Sequence, residues 1–223
     1  MRLPQESAAY AQRVSYGCYT EAALLSEGFE AEAGAVRTQI DHVKAAGRAF
    51  EDHQEKLFGA RARRDLAAWH INRVIQTLGL GLRSRGLDAM NKPPYTLILP
   101  DGIIYYIEAP IPQLVQRVTL LKERVTLHLD PADPLRVALL NDIEAPLNRW
   151  LAAQSALEEA RRQRTHASQV LDTTERTFDK VLTDIWADRV KAEDKARAER
   201  FFTRLDRRAT SRTAEPGPPD AVA

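Results

Sequence analysis

Three features of the chain predict an all-α protein, an elongated helical bundle or antiparallel coiled coil with one small β-hairpin insertion. Glycine is scarce, at 10 of 223 residues, while Ala, Arg, Glu and Leu are plentiful, a balance that favours helix. Apolar residues recur at alternating steps of four and three over long stretches. One short segment rich in β-branched and aromatic residues surrounds Pro100-Asp101-Gly102, which reads as a turn between two strands.

The first helix is expected from about Glu6 to Ser26, with Pro4 before it and Gly28 after it as start and stop signals. The second stretch, about Phe29 to Ser84, carries the heptad seam Val36, Ile40, Val43, Gly47, Phe50, Gln54 and Leu57. After Gly59 the seam is expected to slip and continue through Ala62, Leu66, Trp69, Arg73 and Leu78, like a stutter in a coiled coil. Gly59, Gly79 and Gly81 are where this helix would break. Pro93 and Pro94 end helix, and the runs on either side of Pro100-Asp101-Gly102 predict a hairpin over about 95–107. Pro110 and Pro112 open a third helix whose Ile111, Leu114, Val118, Leu121 and Val125 keep the helical period to about Leu129. Asp133 and Pro134 supply an N-cap and an N1 proline for the last helix, expected to reach about Arg208 with a kink at Pro146. These elements make one helical domain over residues 1–209, followed by a disordered tail over 210–223 rich in proline and small polar residues.

Paired antiparallel, the two long stretches fit a register in which facing position numbers sum to about 219. Trp69 then faces Trp150, and Val36 and Ile40 fall near Leu182 and Phe178. Glu51, Asp52 and Glu55 come opposite Arg161, Arg162 and Arg164.

The composition narrows function by exclusion. A net charge of +1 provides no global field for nucleic acid or an anionic membrane. The single cysteine, Cys18, rules out an internal disulfide scaffold. No apolar run reaches the length of a membrane span, and the N-terminus shows no apolar signal region, so a cytoplasmic location is expected.

No histidine pair sits at the helical zinc spacing, and no Walker loop, Rossmann glycine set or nucleophile elbow is present. His42, His53 and His166 support an alternative metal-binding bundle, although the same histidines fit a solvated helix face better. Arg204, Arg207 and Arg208, in the basic segment that closes the chain, support another alternative, nucleic-acid association. The leading expectation is a non-enzymatic structural or protein-interaction scaffold that self-associates or binds another protein and carries no cofactor. Its candidate partner-binding residues are Leu97, Leu99, Ile103, Tyr105, Tyr106 and Ile107. A hairpin apolar on both faces cannot stand in water. It must tuck against the third helix or pair edge-to-edge with a partner.

Overall fold

The computed structural model describes residues 10–202. The predicted tail over 210–223 and the expected start of the first helix at Glu6 lie outside the described residues. The long helices are α1 (Tyr10–Ser26), α2 (Glu30–Arg83), α5 (Leu114–His128) and α6 (Pro134–Ala192). The short ones are α3 (Tyr95–Ile98), α4 (Ile104–Ile107) and α7 (Lys195–Glu199). Single 3-10 turns occupy Ala89–Asn91 and Ile111–Gln113. Among the described residues no strand occurs, and no helix is long and apolar enough to cross a membrane. α2 runs unbroken through Gly59, Gly79 and Gly81, and α6 through Pro146.

The chain divides into two compact units, one from residues 10–51 and 166–202, the other from residues 52–165. In the first unit Tyr16 and Leu24 of α1 meet Val36, Ile40 and Val43 of α2 and Phe178, Leu182 and Ile185 of α6 in one core. The expected neighbours Val36, Ile40, Phe178 and Leu182 are all there. α1 ends in a Schellman motif, with the Phe29 amide donating to Leu24 carbonyl at 3.0 Å and the Gly28 amide to Leu25 carbonyl at 3.1 Å. Gly28, at φ 81°, takes the left-handed turn this motif needs. The buried Arg13 guanidinium lies 3.0 Å from Glu175 and 3.4 Å from Asp179 on α6. Burial, with the Asp179 charge nearby, pushes the Tyr16 hydroxyl up to about 12, and burial also raises the Glu175 carboxyl despite Arg13.

α6 stops at Ala192 rather than running on to Arg208. Asp194 adopts extended backbone, and its carboxylate accepts from the Arg197 amide at 2.7 Å, so a new cap starts α7. Phe201 and Phe202 then fold back into the first unit's core, with Phe201 edge-on to Phe29.

In the second unit Ala67, Ile71, Ile75, Leu78 and Leu82 of α2 pack on Leu139, Ile143, Leu147 and Trp150 of α6, with α5 and the short helices completing the core. Ala60 packs with Leu157 and Ala160. The Asp133 carboxylate caps α6 through the Leu135 amide at 2.9 Å and is held by Arg85 at 2.6 Å, which lowers its pKa. Asp133 and Pro134 therefore open α6 as expected.

The expected slip after Gly59 does not occur. Leu57, Arg64, Ile71 and Leu78 keep the seven-residue step on the inner face, while Ala62, Leu66, Trp69 and Arg73 are exposed. Trp69 does not join Trp150 in the core, for Trp69 is 51% exposed and Trp150 only 4%. Ala67, not Trp69, belongs to the same core as Trp150.

The predicted hairpin is also corrected. Its turn exists, for the Gly102 amide donates to the Leu99 carbonyl at 3.0 Å and Gly102 has φ 74°. The flanks, however, are the single helical turns α3 and α4, and they lie against α5. In this form Tyr95, Ile98 and Leu99, and then Ile103, Tyr106 and Ile107, each present one i, i+3, i+4 face to the core.

Candidate functional site

Five of the six residues expected to bind a partner serve the second unit's own core. Leu99 and Tyr106 are buried, and Ile103, Tyr105 and Ile107 pack against that core. The Tyr106 hydroxyl donates to the Ile98 carbonyl at 3.2 Å and accepts from Arg124 at 2.6 Å. Burial raises its pKa against the opposing pull of Arg124. Arg117 stacks on the Tyr105 ring at 3.9 Å and donates to the Tyr105 carbonyl. Only Leu97 is open, at 45% exposure. This segment has no strand, and so presents no strand edge of the kind that edge-to-edge pairing would use.

The other predicted sites fare differently. Arg204, Arg207 and Arg208 lie outside the described residues. Four of the described cations before them are engaged within the chain: Arg189 pairs with Glu32 and stacks on Phe29, and Arg200 reaches Glu27 and Glu193. Lys191 and Arg197 pair with Asp188 and Asp194. His42 and His166 are exposed and His53 is half-buried. Among the described residues no three His, Cys, Asp or Glu side chains gather where a metal ion could be held. Glu51 accepts from the Tyr10 hydroxyl at 2.8 Å, and Arg162 is held by Glu159 on its own helix, one turn back.

Among the described residues of the second unit, a cleft lies between α2 and α6. Its volume is about 450 Å3. Ala67 and Ala153 form its buried floor, and Leu66, Ala152 and Ala156 its walls. Arg63 projects from the α2 side and Arg149 from the α6 side, with His70 at one end. His70 also borders a second cleft of about 300 Å3, which continues along the same two helices over Val74, Leu78, Leu135 and Leu139. Arg73, Thr77 and Asp142 rim that part. From Arg63 to Leu78 the residues lining the two clefts, which share His70 and together form one trough, span about 22 Å of α2 at the usual helical rise.

Sequence reasoning approached this site without recognising it. Leu66 and Trp69 were assigned to the inner seam because they are large and apolar. Both are exposed on the outer face, where Leu66 lines the cleft and Trp69 stands next to its lining residue His70 in the sequence. Trp69 is fixed there by an edge contact to His70 at 4.9 Å and by Arg73, 5.5 Å above its ring. The signal available in the sequence was the alanine spacing Ala152, Ala153 and Ala156 on α6 opposite Ala67 on α2.

Chemically, the trough offers shape and apolar area. Its polar groups sit on the rim and not over the floor, so it lacks the convergent donors that orient a small substrate. The chain matches no protein-family model, no curated protein and no solved structure.

Proposed function

We propose that this chain works by binding protein, as a non-enzymatic helical scaffold, and that the trough between α2 and α6 of the second unit receives a helix of its partner. The observation that carries the reading is the alanine-lined cleft beside the exposed Leu66 and Trp69. Small residues lower the walls of a helix pair, so a third helix can approach closely and lay its ridge into the groove. Exposed Leu and Trp beside such a groove supply apolar area of the kind that anchors interfaces.

Selection of a displayed library of random helical peptides on the full chain tests this. The reading expects enriched sequences that compete with one another and lose binding to the Ala156→Arg variant. Ala156 is exposed, so the arginine fills the groove without entering the core. Enriched peptides that bind the Ala156→Arg variant unchanged, or no enrichment at all, would refute it.

A further inference from the structure

We infer that the helix received by the trough is an acidic amphipathic one belonging to another protein, an inference that rests on the docking reading above. Three observations specify it. The first is length: a trough of about 22 Å accepts a helix of about fifteen residues, or four turns. The second is its lining. Ala67, Ala152, Ala153 and Ala156 leave room for leucine-sized side chains at i, i+3 and i+4 of an incoming helix.

The third is charge. Arg63 and Arg149 face the first cleft from opposite sides, and among the described residues neither forms an ion pair. Arginines nearby in the sequence are engaged in ion pairs: Arg61 and Arg64 share Asp65, and Arg162 pairs with Glu159. None of the described residues lining the first cleft is a carboxylate. Two cations lining an apolar cleft from opposite helices call for carboxylates on both flanks of the incoming helix. Arginine also suits this task because its planar fork accepts a carboxylate bidentately.

A second copy of the chain fits poorly. Its own exposed apolar stripe, Phe58, Leu66 and Trp69, travels with Arg61, Arg63 and Arg73, and would set arginine against arginine. Nucleic acid fits poorly as well, since the floor between the two arginines is alanine rather than a basic track.

The test uses two labelled synthetic 18-residue helices, both with a leucine and alanine face. One is flanked by glutamates, and the other has every glutamate replaced by lysine. Fluorescence anisotropy with the full chain at low salt is expected to show the glutamate peptide binding at least tenfold more tightly, with the advantage shrinking as salt rises. In the Arg63→Glu/Arg149→Glu variant the order of the two peptides reverses. Both positions are exposed, and far-UV circular dichroism verifies that the variant keeps its helices.

Equal binding of both peptides, abolished by Ala156→Arg, would overturn the acidic partner and leave the docking reading standing. Binding that survives Ala156→Arg would overturn both. If neither peptide binds, the acidic helix is overturned. A self-associated species in sedimentation velocity that Ala156→Arg dissolves would assign the trough to a second copy and overturn it too.

Discussion

Gly17 lies where α1 crosses α2 and α6, and replacing it with alanine measures how closely those helices approach. A Cβ built there would sit 2.8 Å from the Ile40 Cγ1 atom and 2.9 Å from the Phe178 Cε2 atom. Ordinary carbon contacts begin near 3.4 Å. Ile40 and Phe178 are both fully buried, so neither has free space to retreat into. Overpacking of this kind costs about 1–3 kcal/mol. Against it stands the helix-propensity gain of alanine over glycine, about 1 kcal/mol.

Gly34, on α2 in the same unit, isolates the propensity gain, because a Cβ there meets nothing within 4 Å. Gly34→Ala is expected to stabilise by about 1 kcal/mol, and Gly17→Ala to be neutral or destabilising by up to about 2 kcal/mol. The difference between the variants, about 1–3 kcal/mol, is the packing cost alone. Urea unfolding followed by circular dichroism reads it. If Gly17→Ala stabilises as much as Gly34→Ala, α1 does not pack at this distance and the description of the first core is wrong.

The remaining predictions concern Glu175 and the short helices. Burial holds the Glu175 carboxyl above its ordinary value of 4.5, so the folded chain binds that proton more tightly than the unfolded chain. Its contribution to stability is complete below pH 4.5 and is lost as pH rises through the folded value. Glu175→Gln should therefore remove a fall in the urea midpoint that the unsubstituted chain shows above that pH, and parallel curves for the two would contradict the assignment. In the segment over 95–107, Leu97→Ala should change stability by less than about 0.5 kcal/mol, while Ile98→Ala should cost about 2–5 kcal/mol. Alternating strand geometry would instead put Leu97 and Leu99 on one face and Ile98 on the other, so costly Leu97→Ala and Leu99→Ala beside a mild Ile98→Ala would restore the strand.

Much of this fold was legible before any coordinates. Asp133 and Pro134, Gly28, and the seam from Val36 to Val43 each carry a local signal with one physical reading, and each is found as expected. The hairpin was misjudged because a run of four or five apolar residues satisfies both periods. Tyr95, Ile98 and Leu99 already had helical spacing, but β-branched and aromatic content outweighed it. The seam after Gly59 was misjudged for a related reason. Size drew the reading to Leu66 and Trp69, whereas the seven-residue step from Leu57 leads to Arg64, a residue that pattern reading discounts. The candidate site was illegible for the same cause: apolar residues credited to the inner face were not available to form an outer one.

The antiparallel level of α2 and α6 in the second unit places Leu66 and Ala152 in the lining of one cleft. Cysteine cross-linking with a short bismaleimide tests it, after the exposed Cys18 is replaced by serine. The pair Leu66→Cys/Ala152→Cys should link rapidly. The pair Leu66→Cys/Gln163→Cys, displaced along α6 by about 16 Å, should not. Efficient linkage of the second pair without the first would contradict the register, and with it the trough on which the proposed function is built.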